Sequence, residues 1–382
     1  MIYGERIRQA RELLELTQAA LAMQLGVAQP TIAQIENGLT QPSAELANAI
    51  ALATGFPLAF FRDPPATNLP LGTLLYRSRA AVSARKKASA RRSAELYHES
   101  LSTLFSRVRL LPVRLPRLRE DPVTAARVTR SELNLGPDQP IPNLIHAIEK
   151  AGVLVLSLPI EVDGLDAFAA WPSSESDIPV IATVQGAPGD RQRFSVAEEL
   201  GHLVLHFPPR GTIGEMDREA RRFAAELLLP EDTMRQELTP PITLAALAPL
   251  KQRWRVSLQV LIVRAHGLGI LSPRQYKYLF TQLSARGWRK QEPAHLAIPA
   301  EKPRAPRRII ELVYGAQPDI ARIATDLQRP LGFVRHLLDG YASRSELPLK
   351  EHPLAGAPSN VLRFRAAGRR AAQDTGSKEG EE

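Results

Sequence analysis

The sequence contains no cysteine in 382 residues, which excludes a disulfide framework and any zinc site built on thiolates. This also fits a reducing interior. No apolar run approaches the roughly 20 residues that a membrane-spanning helix needs. The N-terminus enters a polar amphipathic pattern directly, without the apolar stretch of a signal peptide. The expectation is a soluble, cytoplasmic protein. Internal repeats and a phosphate-cradling glycine loop are missing too. What the chain does have is length for two or three domains and 44% hydrophobic residues, ample for globular cores. Its net charge of +9 favours a polyanionic partner, most simply nucleic acid.

The first 62 residues read as a run of short helices. Ile7, Ala10 and Leu14 recur at helical spacing over 4–14. Thr17 can cap a helix over 18–24, Gly26 supplies a turn, and a third helix runs over about 29–36 to Asn37-Gly38. Ser43 starts a fourth, with Leu46, Ile50 and Ala53 inward, ended by Gly55 and Pro57. Two short helices joined at a glycine turn are the helix-turn-helix geometry, in which the second helix enters the major groove. The combination Leu16-Thr17-Gln18, Leu21-Ala22, Leu25-Gly26-Val27, Ile32, Ile35-Glu36-Asn37-Gly38 and Pro42-Ser43 resembles the Cro/repressor-like (XRE) helix-turn-helix family. The resemblance implies a double-stranded DNA partner and a homodimer on a two-fold site. It places Gln29, Thr31 and Gln34 toward the groove, where glutamine suits bidentate contact with adenine. Gln18, at a helix start, is expected to hold a phosphate. Arg11 and Asn37 are further backbone-contact candidates. Glu36 is expected to be structural.

Asp63-Pro64-Pro65 breaks this module off. Residues 76–108 read as a long helix, basic at Arg85, Lys86, Lys87, Arg91 and Arg92, with an apolar side at Leu96, Leu101, Leu104 and Phe105. Two readings stay open: it tracks DNA phosphates beside the groove, or it docks on the next domain. His98 is expected at its surface or docking face. Residues 111–121 are a proline-punctuated linker.

From Pro122 the pattern becomes mixed. Helices are expected over 124–133 and 144–151, and strands over 152–158, 167–171 and 179–184. Two more helices follow, over 193–206 and 217–228. Ile141-Pro142-Asn143, Asp166-Ala167-Phe168, Pro179-Val180-Ile181, the run from Asp190 to Phe194, Glu198-Glu199-Leu200-Gly201-His202, Glu219-Ala220 and Phe223-Ala224-Ala225 resemble the ImmA/IrrE metallopeptidase family over about residues 67–290. In an intact His-Glu-x-x-His helix two imidazoles share one face and bind zinc, and the glutamate is the general base on the metal water. The resemblance makes Glu199 the base, His202 the second ligand and Asp217 the third, with Glu219 as rival. The first ligand position holds Glu198 instead of histidine. Carboxylate can bind zinc, but two carboxylates and one histidine leave the centre less positive, so its water is acidified less. Such a set also leans toward harder ions. The cofactor expectation is therefore none, or a weakly bound divalent metal such as zinc. His206 is expected to end the helix as a non-ligand, and Arg191 and Arg193 to form salt bridges.

A short helical turn over 244–248, stopped by Pro249, precedes fuller helices over 257–267 and 272–284. His266 and His295 are expected to be structural or exposed. Three short helices follow a basic linker at 302–308. The segment 321–335 loosely resembles a second helix-turn-helix, for DNA contact or for helical packing and dimerisation. A disordered tail follows. The expected fold class is α+β, mostly helical: a helix-turn-helix domain (1–66), a basic helix and linker (67–121), a zincin-like domain with a small sheet and helical extension (122–300), a helical segment (301–349) and the tail (350–382). Three functions fit: a sequence-specific transcriptional regulator with a degenerate peptidase-like domain for sensing or association; a metallo-endopeptidase cleaving a repressor; or an antitoxin-like protein-interaction scaffold.

Overall fold

The computed structural model describes residues 1–65, 82–162, 164–171, 178–343 and 345–346. The expected tail over 350–382 and the connector over 67–81, including the expected helix start at Tyr76, lie outside the described residues. The fold is α+β and mostly helical, with one three-stranded sheet among the described residues.

Helices α1 (Gly4–Leu13), α2 (Gln18–Leu25), α3 (Gln29–Glu36) and α4 (Ala44–Thr54) close around Ile7, Ala10, Leu21, Ile32, Ile35 and Ile50. Thr17 and Ser43 cap α2 and α4, accepting from Ala20 N and Leu46 N. Gly26 and Gly55 end them in the left-handed region. Gly4 lets α1 press against the end of α3, since a Cβ there would sit 2.0 Å from Ile35 O. The sequence reading ended the fourth helix at Gly55 and Pro57 and assigned no element to the rest of the module. In fact a 3₁₀ turn, Leu58–Arg62, folds Phe60 and Phe61 back into the core, with Phe60 stacked 4.4 Å from Phe56.

Helix α5 (Ala84–Phe105) has two apolar faces. Leu96 joins the helix-turn-helix core, whereas Ala90, Ala94, Tyr97, Leu101 and Leu104 join a second core against the sheet. Of the two readings of this basic helix, docking holds along most of its length. Arg92 is buried and paired with Glu5 (2.5 Å), Glu12 (2.6 Å) and Glu95 (2.9 Å). His98 is buried as well. A second buried ionic junction ties three parts of the chain together: Glu99 accepts from Arg6 of α1 at 2.8 Å and from Arg329 at 3.1 Å.

Strands β1 (Leu154–Leu158), β2 (Ala167–Ala170) and β3 (Val180–Val184) lie in the order β1-β3-β2. β1 and β3 are parallel, with Leu154 opposite Val180. β2 is antiparallel to β3, with Ala167 opposite Thr183. Both faces are covered, which is why the strands read as near-continuous apolar runs. Val155, Ala169 and Ile181 face the larger core; Leu154, Leu156, Phe168 and Ala182 face the one shared with α5.

The larger core is built by α6 (Pro122–Glu132), α7 (Leu144–Lys150), α8 (Gly189–Leu205), α9 (Ile213–Leu228), α10 (Glu231–Glu237), α11 (Leu244–Trp254), α12 (Leu258–Gly267) and α13 (Pro273–Ala285). The expected stop at Pro249 is incorrect: α11 runs through the proline. An interior proline costs about 3 kcal/mol. Tertiary contacts beyond it offset this. Fully buried Lys251 pairs with Asp190 and with Glu292 (2.9 Å), and Trp254 Nε1 donates to Glu237 at 2.7 Å. Helices α14 (Ala305–Tyr314), α15 (Ile320–Leu327) and α16 (Leu331–Asp339) cover the other side of the sheet. The segment resembling a second helix-turn-helix buries Ile323, Leu327, Val334 and Leu337 there, so it packs. His336 Nε2 and Tyr341 Oη donate to Ser157 O of β1 at 2.9 and 3.2 Å.

Candidate functional site

Two surfaces concentrate the residues singled out by sequence. On α3, Gln29 and Gln34 are exposed and Thr31 is half-buried. A relay of polar contacts braces them from behind. Gln29 Nε2 donates to Gln18 Oε1 at 2.8 Å, and Gln18 Nε2 donates to Glu36 Oε2 at 2.9 Å. Glu36 is 3% exposed and takes both guanidinium arms of Arg11, at 2.6 and 2.9 Å. Burial works against the Arg11 charge, but the hydrogen bond and charge of Glu36 outweigh it and hold the group above its ordinary pKa. Arg11 therefore lies inside the module, spanning α1, α3 and Leu16 O (2.8 Å), and not on an outer face where phosphates run. Asn37 is exposed, and its Oδ1 accepts from Arg8 at 2.6 Å. Sequence reading missed Arg8. Its spacing of one helical turn from Arg11 and Glu5 was the available signal.

The second surface is the crossing of α8 and α9. The helix α8 begins a turn earlier than expected, at Gly189, because the chain at Ile298 and Pro299 packs over its start. Arg191 and Arg193 form the expected salt bridges: Arg191 Nε to Asp166 at 2.8 Å, and Arg193, fully buried, to Glu301. Gly201 sets the separation of the two helices, since a Cβ there would stand 2.9 Å from the Phe223 ring and 3.3 Å from Ala220 Cα.

Glu198 and His202 are one turn apart on α8 and both look toward α9. His202 Nε2 faces Asp217 Oδ1 at 3.6 Å. Its Nδ1 is hydrogen-bonded to His206 Nδ1 at 2.9 Å, and His206 Nε2 to Glu219 Oε2 at 2.8 Å. Asp217 and not Glu219 is thus the carboxylate facing His202. Glu198 Oε1 accepts from Arg221 Nε at 3.2 Å. Arg221 lies one turn beyond Asp217 on α9 and was overlooked in the sequence. Glu199 is fully buried. Nearby, the Arg117 guanidinium stacks over Trp171 (4.2 Å) and Phe207 (4.7 Å) at the end of α8.

Residues 7–61 match the helix-turn-helix family, and residues 148–266 match the IrrE N-terminal-like domain. The chain joins these two modules. Similarity searching finds no curated protein that matches it. The helix-turn-helix domain gives it the fold of a DNA-binding protein. The IrrE N-terminal-like domain contributes a peptidase-like body, with α8 and α9 at its centre. Among the described residues no helix is long and apolar enough to cross a membrane.

Proposed function

We propose that the chain is a sequence-specific DNA-binding transcriptional regulator, acting as a homodimer, whose IrrE-like domain performs no metal-dependent hydrolysis and serves sensing or association. The observation that carries this reading is the Glu198–Arg221 pair. A resident metal needs at least three converging donors and an open position for water. Among the described residues no group of three such side chains converges. His202 and Asp217 face one another, but the third donor, the Glu198 carboxylate, is engaged by a guanidinium, a fixed positive charge that opposes a divalent cation. This donor set does not fit zinc. On this reading the His202–His206–Glu219 chain serves as a polar network running from the interior of the body to its surface at Glu219.

The test pairs two measurements. Elemental analysis of protein purified without chelator is expected to find no stoichiometric metal. Co-expression with a repressor substrate is expected to leave the repressor intact with wild type and with Glu199→Gln alike. Cleavage by wild type and not by the variant would establish a metallo-endopeptidase instead. That second reading draws on the 3.6 Å approach of His202 Nε2 to Asp217 Oδ1, a separation that one ion can bridge.

A further inference from the structure

We propose that the first turn of α5 is a second DNA contact, a phosphate clamp formed by Arg85, Lys86 and Lys87 outside the helix-turn-helix module. The inference rests on the DNA-binding reading above and extends its interface.

The placement follows from the packing of α5 on α1. The two helices run antiparallel: Arg6 meets Glu99, Glu12 meets Arg92, and Leu13 O accepts from Ser89 Oγ at 3.2 Å. The residues before Ser89 therefore extend past the C-terminal end of α1. At that end the chain turns through Leu16 and Thr17 into the start of α2, where Gln18 touches Gln29 at the start of α3. The basic turn thus lies on the side of the module from which α2 begins, where a helix start offers free N–H groups to a phosphate.

The charges themselves point to a polyanion. Ser83 caps α5, and no acidic residue lies in its first turn. Three cations sit instead at the positive end of the helix dipole, where they raise its energy. Farther along, Arg91 and Arg92 are paired with acids. Arg85 is exposed and Lys86 and Lys87 are half-buried, and none of the three has an ion-pair partner among the described residues. A backbone phosphate beside the groove supplies the missing opposite charge, and three such contacts carry affinity without reading sequence.

The experiment measures affinity for a mixed-sequence DNA duplex as a function of salt, using full-length protein. The variant is Arg85→Glu with Lys86→Glu and Lys87→Glu. Acids at a helix start are favourable, so the fold is expected to keep its melting temperature. A companion with all three changed to glutamine guards against a folding effect. Each lost phosphate contact lowers the slope of log K against log salt by about 0.9, so both variants should lose about 2–3 units of slope and bind at least about tenfold more weakly. A slope equal to wild type in folded variants overturns the clamp and leaves the helix-turn-helix interface standing. Failure of wild type to bind duplex DNA at low salt overturns both.

Discussion

Glu198 of α8 and Arg221 of α9 are joined at 3.2 Å across the helix crossing at the centre of the peptidase-like domain. Both partners must change to build a metal position there. Glu198→His combined with Arg221→Gln is expected to bind about one zinc ion per chain, held by the introduced imidazole together with His202 and Asp217. Wild type and either single variant should bind far less. Metal content after dialysis, read by atomic emission, checks this.

Gly201 leaves no room for a methyl group. A Cβ would meet Phe223 at 2.9 Å, and overpacking of this kind costs about 1–3 kcal/mol. Gly201→Ala should lower the melting temperature, and adding Phe223→Leu should restore part of it. A double-mutant cycle by chemical denaturation measures the coupling.

Glu99 stands between two buried guanidinium groups. Burial pulls the pKa of Arg329 down to about 10, against the opposing pull of Glu99. Removing the carboxylate leaves both arginines uncompensated, which costs about 3–5 kcal/mol. Glu99→Ala should therefore destabilise the protein strongly. It should also speed proteolysis near Asp63 and Pro64, whose carbonyls accept from Arg6.

Glu149 is buried, and its carboxylate accepts from the backbone N–H groups of Arg304 and Ala305 at the start of α14. Burial raises its pKa to about 8, and those N–H groups and the Arg304 charge only partly counter it. The folded state then holds a proton that the unfolded state releases near its ordinary 4.5. Stability from this group is complete below that value and declines as pH rises toward and through about 8. His146 acts in the opposite sense: burial, then Lys150 and Arg304, lower its pKa to about 4. Its contribution is complete above 6.5 and is lost as pH falls toward and through about 4. Thermal unfolding of Glu149→Gln against pH should show a flatter alkaline limb than wild type.

On α3, Gln29→Ala with Gln34→Ala should reduce discrimination between a specific site and a scrambled one. Each bidentate contact is worth about 1–3 kcal/mol, while phosphate-driven binding remains. Competition gel shifts compare the two sequences.

The local rules of helix starts and stops were readable in the chain. Thr17, Ser43, Ser257 and Ser272 all cap helices, and Gly26 and Gly55 end them. The strands were readable from their β-branched runs. Pro249 misled because its cost is local and its compensation, the Lys251 and Trp254 contacts, comes from distant segments. Phe60 and Phe61 were passed over because a 3₁₀ turn carries no amphipathic period of its own. The same limit hid the inward turn of Arg11, whose partner Glu36 lies 25 residues away. Arg221 was closer to hand: its spacing of four from Asp217 places it on the same helical face.

Helix α5 belongs to two hydrophobic interiors at once, one in the DNA-reading head and one against the sheet. The head is therefore expected to move with the body and not independently of it. A small rotation of α5 over β1 would then be carried straight to the reading helix.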